Sequence, residues 1–340
     1  MITRTADFDL STRNTFRMKV RCALFVEITA EEDLQELDFA SLPKPLMVMG
    51  GGSNLLFRGD FPGTVLHVAI TGAPAWDPGS GLATVGAGVV FDTFCDWAAQ
   101  KDLWGPENLS LIPGECGASA VQNIGAYGVE AKDILADIRA WDTLEGKFVH
   151  ISPSHCAYGY RTSLFKTDWK GRYIITYVTY RLSADPRPVL DYGGIRKALE
   201  GQEVLSPRLI RDTIIGIRNA KLPDPAVTGS AGSFFCNPVV DKAHFERIVS
   251  IAKEDNGQDC KVPHFEVGDR IKVPAAWMIE QCGFKGKANG GARVYRNQPL
   301  VIVNESGDAT PGEIVALENA IIRAVEAKYG VTLHPEVEHI

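Results

Sequence analysis

The stretch that decides the fold is PGECGASAVQNIGAYG, residues 113–128, which is led in by further glycine, proline and asparagine residues from Pro106 onward. The whole segment 106–128 is too long for a simple connection, and long ordered loops are often functional. Glycine lets backbone N–H groups point inward at close range, and nests of such groups hold pyrophosphate. We therefore expect residues 106–128 to form a ligand-binding loop.

Three glycine-rich stretches share the same character: an earlier segment at 50–55, a second at 113–120 and a third at 122–128. The earlier segment, Gly50-Gly51-Gly52-Ser53-Asn54-Leu55, follows an apolar run at 45–50 that predicts a buried strand. Any one glycine stretch is explained by a tight turn. Three together, with serine and asparagine as extra donors, favour a cofactor that contains a diphosphate.

Several common motifs for cofactor or metal chemistry are missing. Gly86-Ala-Gly88 follows a predicted strand, but Phe91 stands where a dinucleotide fingerprint needs a small residue, so a Rossmann fold is poorly supported. No P-loop and no GxSxG elbow occurs, and no histidine pair has metal-ligand spacing. We expect no metal site.

The composition limits the class of protein. The 340 residues carry 35 basic and 42 acidic side chains, a net charge of −7, which argues against wholesale binding of nucleic acid or anionic membranes. Seven cysteines without a CxxC favour a reducing compartment, with each thiol expected to be a buried small hydrophobe. There is no apolar run for a membrane span and no secretory h-region, so we expect a cytoplasmic protein.

The apolar patterning predicts an α+β fold with segregated strands. Residues 64–70, 82–88, 173–182 and 299–304 read as strands, and residues 89–102 read as a helix. Ser206-Pro207 and Thr310-Pro311-Gly312-Glu313 are helix starts, and Asp241 predicts a further helix that runs to about Asp255. The segment Lys221-Leu-Pro-Asp-Pro225 predicts a domain boundary.

A resemblance covers essentially the whole chain. The motifs that carry it are, in order, GGGSNLLF (50–57), PGECGASAVQNIGAYGVE (113–130), YGYRTSLFK (158–166), KLPDP (221–225), GSAGSFFCNPVV (229–240) and LHPEVEHI (333–340). In this order they resemble the UDP-N-acetylenolpyruvoylglucosamine reductase family, in its longer subtype with a tyrosine loop. The resemblance implies a two-lobed, non-Rossmann FAD-binding fold of the vanillyl-alcohol-oxidase type (lobes 1–70 and 71–222). It also implies a C-terminal α+β substrate-binding domain (223–340), and leaves open whether the last strand packs back at the flavin.

The same resemblance implies the cofactor and its contacts. FAD is expected to be bound without a covalent link, since residues 113–128 contain no histidine to tether it, and NADPH is the expected co-substrate. The preference for NADPH comes from the resemblance alone. The residues implied for FAD are Gly51, Gly52, Ser53, Asn54, Leu55, Gly114, Ser119, Asn123, Gly125, Ala126 and Gly128.

Three residues match the positions that carry the family's chemistry. Arg161 matches the arginine beside the substrate carboxylate, and its permanent charge suits an enolate. Ser233 matches the proton donor to C2, a poor acid that neighbouring charge must activate. Glu336 matches the third catalytic residue, which helps to polarise the carboxylate.

Four residues are implied for the UDP-sugar, which a chain of net charge −7 must hold with a local basic patch. They are Tyr192, Lys221, Asn237 and Lys285. Cys236 stands where many members have lysine, so nucleotide affinity is expected to depend more on the two lysines named here.

The expected protein is a monomer in which NADPH and substrate use one site in turn. Two rivals stay open. One is another FAD-linked oxidase or dehydrogenase of the same fold, and the other is a non-catalytic nucleotide-binding relative. The combination of Arg161, Ser233 and Glu336 counts against the second, because a binding module needs no proton donor.

Overall fold

The computed structural model describes residues 2–192 and 194–340, which form two compact units. The first unit comprises the residues up to Leu10, Arg21–Gly52 and Asp60–Ala220. The second comprises Ser11–Val20, Ser53–Gly59 and Lys221–Ile340. The C-terminal unit thus includes two short N-terminal segments that the sequence did not predict. The expected border at 70/71 stays a prediction.

The strands of the described residues are short, apart from a few in the first unit. They are β1 (Thr3–Asp9), β2 (Arg21–Ile28), β3 (Leu46–Met49), β4 (Leu55–Leu56), β5 (Phe61–Val68), β6 (Ala75–Asp77), β7 (Leu82–Gly86), β8 (Gly125–Ala126), β9 (Val129–Glu130), β10 (Leu135–Asp142), β11 (Lys147–Ile151), β12 (Tyr173–Arg181), β13 (Gly229–Ser233), β14 (Val239–Val240), β15 (Phe265–Val267), β16 (Arg270–Lys272), β17 (Ala288–Asn289), β18 (Ala292–Val294), β19 (Val301–Asn304) and β20 (Glu338–His339).

The helices of the same residues range from one turn to about five. They are α1 (Glu31–Glu36), α2 (Phe91–Gln100), α3 (Cys116–Gln122), α4 (Ile195–Ala198), α5 (Pro207–Lys221), α6 (Lys242–Asn256), α7 (Ala275–Gln281) and α8 (Pro311–Tyr329). Single 3₁₀ turns occur at Glu107–Leu109, Ala131–Asp133, Pro153–His155 and Leu164–Lys166.

The first unit contains two larger sheets. One has the order β1-β2-β5-β3, in which β5 pairs in parallel with both β2 and β3. The other has the order β11-β10-β12-β7-β6 and is antiparallel. The predicted strand at 173–182 is confirmed as β12, whose Ile174, Thr176, Val178 and Tyr180 are fully buried. Burying these side chains is the main favourable term for the sheet.

The turn between β7 and α2 explains the glycines that resemble a dinucleotide fingerprint. A Cβ at Gly86 would lie 2.3 Å from the Ile70 carbonyl oxygen, and one at Gly88 would lie 2.5 Å from that of Val68. Both approaches are far inside van der Waals contact, so only glycine fits. The Gly-x-Gly pattern here serves the close packing of two backbone segments.

The expectation that residues 106–128 form one loop is wrong in part, because helix α3 (Cys116–Gln122) lies within it. The buried residues of α3 are mostly small, and a Cβ at Gly117 would lie 2.8 Å from Ala87 Cβ. Small residues allow this close packing, but they give no apolar stripe from which a helix is recognised. The apolar pattern of the sequence therefore does not predict helix α3.

The second unit has an antiparallel sheet of order β13-β19-β18-β17 and a smaller one of order β14-β16-β15. The predicted capping box of α8 is confirmed, with Thr310 accepting from Glu313 N and Glu313 accepting from Thr310 N. Asp241 likewise caps α6 through His244 N. These caps satisfy orphan donors of the first turn and fix where each helix begins.

All seven cysteines are thiols, but they are not all buried as expected. Four are buried, whereas Cys236, Cys260 and Cys282 are half-buried. Within residues 2–192 and 194–340, no helix has the length and hydropathy needed to cross a membrane.

Candidate active site

Two of the predicted glycine stretches adjoin in the first unit. A Cβ at Gly51 would lie 3.5 Å from Gly114 Cα, and one at Gly50 would lie 3.1 Å from a Glu115 carboxylate oxygen. Gly114 has a φ of +119°, a conformation that L side chains rarely adopt. The two backbones are therefore close together and bare of side chains, which suits a ligand that is held by backbone amides.

Two of the residues predicted to contact the cofactor have their side chains committed to the protein. Ser119 is 1% exposed, and its hydroxyl lies 2.7 Å from the Cys116 carbonyl and 2.8 Å from the Tyr180 hydroxyl. Asn123 is fully buried, and its amide donates to Gly159 O and Glu130 while accepting from Lys132 N. These bonds hold the middle and the C-terminal end of α3 in place, so the structure favours a structural role for both side chains.

The third stretch packs against Arg161. A Cβ at Gly125 would lie 2.8 Å from Arg161 Nη1, and Arg161 Nη2 donates to the Gly125 carbonyl. Ala126 pairs with Val129 in the β8–β9 ladder, and Gly128 has a φ of +85°. The small residues here therefore make room for a guanidinium beside the backbone.

Arg161 itself is half-buried and has a left-handed backbone, with a φ of +57°. Its Cζ lies 5.1 Å from the centre of the Tyr160 ring, a cation–π contact. Lys166 Nζ approaches the Arg161 carbonyl at 3.4 Å and donates to Gln122 at 2.8 Å. A non-glycine residue with positive φ persists only where its surroundings hold it, and such residues cluster at functional sites.

Arg218 on α5 is a functional candidate that the sequence analysis missed. Its Nη2 donates to Leu111 O at 3.1 Å, and its buried Nε has no hydrogen-bond partner among the described residues. Burial lowers the pKa of the Arg218 guanidinium, and burial also raises the pKa of the neighbouring Tyr127 phenol. The available signal was a basic residue four positions after Ile214, on the apolar stripe of the helix.

Tyr192 lies against the end of the third stretch. Its Cβ would be 3.5 Å from a Cβ placed at Gly128, and its side chain is 39% exposed. Asn108 Nδ2 donates both to Tyr127 O at 2.9 Å and to Val189 O at 2.8 Å. One buried amide thus fastens the Tyr192 segment to the glycine-rich loop.

In the second unit, Ser233 and Glu336 lie on neighbouring backbone segments. Ser233 ends β13, after a register irregularity that follows Ser230. Glu336 N donates to Phe234 O at 2.8 Å, and Phe235 forms an antiparallel bridge with Pro335. The two predicted catalytic residues of this unit are therefore brought together from positions about a hundred residues apart.

Asn54 also belongs to this part of the second unit. Its side-chain amide donates to the Glu336 carbonyl at 3.0 Å, and its own carbonyl accepts from Glu338 N at 2.9 Å. Leu55 follows in β4 and pairs in parallel with Glu338 of β20. The side chain predicted to contact FAD therefore holds the C-terminal strand. The chain passes from the first unit to the second just before it, between Gly52 (φ +62°) and the half-buried Ser53.

The remaining residues predicted to bind the substrate differ in whether their side chains already bond to other protein groups. Asn237 Oδ1 accepts from Ala275 N at 2.9 Å, at the start of α7. Lys285 Nζ lies 2.7 Å from Glu280 Oε1, which offsets part of its charge. Lys221 is exposed at the end of α5. Of these three residues, Lys221 is the one best suited to add positive charge for an anionic ligand.

The residues present fit FAD. The close, side-chain-free approach of Gly51 and Gly114 is a cradle that a Cβ would fill, and the buried Arg218 Nε is a donor still to be satisfied. Backbone amides and a guanidinium are suitable partners for a diphosphate.

Comparisons with known proteins assign the two halves of the chain. Residues 22–152 match the model of an FAD binding domain. Residues 224–340 match the model of the UDP-N-acetylenolpyruvoylglucosamine reductase C-terminal domain. The crystal structure of UDP-N-acetylenolpyruvylglucosamine reductase from Thermus caldophilus covers 100% of this chain and 98% of its own, with a TM-score of 0.67 and 22% identity, which shows the fold.

Curated relatives match at higher identity. UDP-N-acetylenolpyruvoylglucosamine reductase of Bacteroides fragilis (strain YCH46) is 44% identical, over 98% of this chain and 99% of the relative. The enzyme of the same name from Porphyromonas gingivalis (strain ATCC BAA-308 / W83) is 42% identical, over 98% of each chain. At this identity and coverage, the chain belongs to the UDP-N-acetylenolpyruvoylglucosamine reductase family.

Proposed function

We propose that this enzyme reduces the enolpyruvyl ether of UDP-N-acetylglucosamine to UDP-N-acetylmuramate, with Ser233, Arg161 and Glu336 as the residues that carry the chemistry. FAD, when bound, would supply the hydride-transfer chemistry between NADPH and C3 of the enolpyruvyl group. The product is a precursor of peptidoglycan. The sugar reaction follows from the family; the residue roles are our proposal.

The reaction defines what the protein must supply. Hydride addition at C3 leaves negative charge at C2, which spreads into the substrate carboxylate as an enolate. A cation near this carboxylate stabilises the enolate more than the ground state, and a positioned acid must then protonate C2.

Arg161 suits the carboxylate. Its guanidinium is always charged and can donate two parallel bonds to a carboxylate. Support for this role comes from its restrained setting, since contacts to Gly125 O and the Tyr160 ring limit its rotamers. A charge that is fixed before the reaction needs no reorganisation when the enolate forms.

Ser233 suits the proton transfer to C2. The hydroxyl is carried at the end of β13, directly before the fully buried pair Phe234 and Phe235. Two buried aromatic rings restrict the backbone, which keeps a donor in one place. Because a serine hydroxyl is a weak acid, we assign its activation to neighbouring charged groups.

The single observation that carries the proposal is the backbone pairing beside these residues. Glu336 N donates to Phe234 O at 2.8 Å, and Cys236 N donates to His334 O at 2.9 Å. This ladder supports a shared task for Ser233 and the Glu336 carboxylate, with Glu336 polarising the substrate carboxylate and stabilising the intermediate.

The partners follow from the same proposal. We infer that NADPH and the UDP-sugar use one site in turn, and that Lys221, Lys285, Asn237 and Tyr192 contribute to binding the sugar nucleotide. We further infer a cytoplasmic monomer, because UDP-sugar and NADPH are cytoplasmic metabolites and the proposed roles need no second copy.

The test is a stopped-flow comparison of the two half-reactions in Ser233→Ala. The flavin should be reduced by NADPH at nearly the wild-type rate, because that step delivers no proton to a substrate carbon. Reoxidation by the enolpyruvyl substrate should slow by about 10²–10⁴, the usual effect of losing a general acid. Ser250→Ala, an exposed serine on α6, is the matched control.

Two results would contradict these roles. Equal losses in both half-reactions would make Ser233 a structural or binding residue. Unchanged reoxidation would exclude it as the donor and make Glu336 the next residue to test.

A further inference from the structure

His67 lies between two carboxylates near the glycine-rich segments. The residue is 6% exposed and sits on β5, where its Nε2 lies 3.0 Å from Glu115 Oε1 and its Nδ1 lies 3.3 Å from Glu27 Oε2. An ionised carboxylate accepts hydrogen bonds and does not donate them, so the imidazolium is the form of the ring that can donate to both carboxylates. The ring thus links β5 to β2 and to the segment before α3.

The Glu115 carboxylate supports the glycine backbone. A Cβ at Gly50 would lie 3.1 Å from Glu115 Oε2, and one at Gly51 would lie 3.8 Å from Glu115 Oε1. The side chain of Glu115 is only 12% exposed. A mostly buried carboxylate thus fills the space directly beside Gly50 and Gly51.

The backbone around Glu115 is fixed from the other side. Phe91 N donates to Gly114 O at 3.0 Å, and Cys116 N donates to Val89 O at 2.9 Å. The bond from His67 to the Glu115 side chain therefore completes the restraint. The main chain is held by the segment after β7, and the side chain is held by β5.

This arrangement raises an electrostatic question, because a carboxylate beside a diphosphate site would repel the ligand. Burial makes the repulsion stronger, since like charges interact more strongly where the dielectric constant is low. The His67 ring lies 3.0 Å from this carboxylate, where an imidazolium would compensate its charge. Glu27, at 27% exposure, lies on the more solvated side of the ring and orients it.

We propose that His67 is a positioning residue for FAD, which neutralises Glu115 and fixes it so that the Gly50–Gly51 and Gly114 segments keep the spacing that holds a diphosphate. This inference rests on the proposed roles of Gly51 and Gly114 in FAD binding. Its specific content is charge compensation, which distinguishes it from simple packing.

The test measures the release of FAD from the diluted holoenzyme, followed by flavin fluorescence. His67→Gln leaves an uncompensated carboxylate, so the FAD dissociation constant should rise about tenfold or more. Glu115→Gln removes that charge and should stay within about threefold of wild type. The double variant His67→Gln/Glu115→Gln should recover to the same range, because two neutral amides can hydrogen-bond without repelling FAD.

The inference would be overturned by unchanged FAD release in His67→Gln. It would also be overturned by a double variant that releases FAD as readily as His67→Gln does. A Gly51→Val variant tests separately the assumption that Gly51 and Gly114 hold FAD. If this variant also retains FAD normally, that assignment is wrong. If His67→Gln does not fold, Glu115→Asp replaces it, because the shorter side chain keeps the negative charge but no longer reaches His67. Faster FAD release from Glu115→Asp than from Glu115→Gln supports the inference. Equal release from the two variants contradicts it.

Discussion

The side-chain amide of Asn54 donates a 3.0 Å hydrogen bond to the backbone carbonyl of Glu336, 282 positions later in the chain. The Asn54 carbonyl in turn accepts from Glu338 N at 2.9 Å. One residue therefore holds the C-terminal segment on both sides of Val337. If Glu336 acts on the substrate carboxylate, then Asn54 helps to determine the position of the Glu336 side chain.

Replacing Asn54 by alanine tests this role. The Glu336 carbonyl would lose its donor, at a cost of about 1 kcal/mol, and the C-terminal strand would be less well positioned. We expect flavin reoxidation by the enolpyruvyl substrate to slow about tenfold in stopped-flow measurements, while FAD release stays unchanged. Thr332→Ala, which removes an exposed side-chain bond to Glu326 in the same segment, is the control. Faster FAD release in Asn54→Ala, with normal reoxidation, would instead make Asn54 a cofactor residue.

Tyr192 is expected to act on the sugar nucleotide and not on the flavin. The 39% exposed side chain extends from a segment that Asn108 fastens to the glycine-rich loop. Tyr192→Phe should raise the KM for the UDP-sugar by about tenfold, the value of one hydrogen bond to a charged group, with flavin reduction by NADPH nearly unchanged. Tyr177→Phe, the same change on β12, serves as the control. Equal losses in both half-reactions would indicate a structural loop.

Lys221 is expected to serve both substrates. It is an exposed cation in a chain of net charge −7, whereas Lys285 is paired with Glu280. Lys221→Ala should raise the dissociation constants of both NADPH and the UDP-sugar, each by up to about tenfold. The loss should shrink as salt is added, because salt screens exposed charges. Lys147→Ala, an exposed lysine on β11 paired with Glu145, is the control. Unchanged affinity for both ligands would remove Lys221 from the site.

Glu107 should make stability depend on pH. Burial raises the pKa of its carboxyl, which is 3% exposed and accepts from Gly105 N at 2.6 Å. The folded state therefore binds this proton more tightly than the unfolded state. Its contribution to stability is present at low pH and is lost as pH rises from the unfolded pKa through the raised, folded one.

Urea unfolding from pH 4 to 8 measures this contribution. Glu107→Gln keeps a carbonyl acceptor for Gly105 N but cannot ionise. The free energy of unfolding of Glu107→Gln, relative to that of the wild type, should therefore increase as pH rises. Glu145→Gln, on a half-exposed turn, should show no such difference. A constant difference between Glu107→Gln and wild type across this range would contradict the prediction.

The sequence by itself determined the features that depend on local chemistry. The alternation at 173–182 gave a strand, and the Thr310–Glu313 box gave a helix start, because side-chain period and capping act within a few residues. The six motifs, in their order along the chain, indicated the family and with it the cofactor and the reaction. The rejected dinucleotide fingerprint was also decided correctly, since Phe91 leaves no room for the close packing that such a fold needs.

Only the tertiary structure decided which side chains do structural work. Ser119 and Asn123 read as ligand donors in the sequence, yet their hydrogen-bonding atoms are occupied by Tyr180, Cys116 and Gly159. Small residues hid helix α3, since it packs by close approach and has no apolar stripe.

The pairings of His67 with Glu115 and of Asn54 with Glu336 join residues that are 48 and 282 positions apart. The amino-acid sequence shows the residue types at such positions but not their distance in space. Strand pairing and packing set that distance, and both depend on the whole fold.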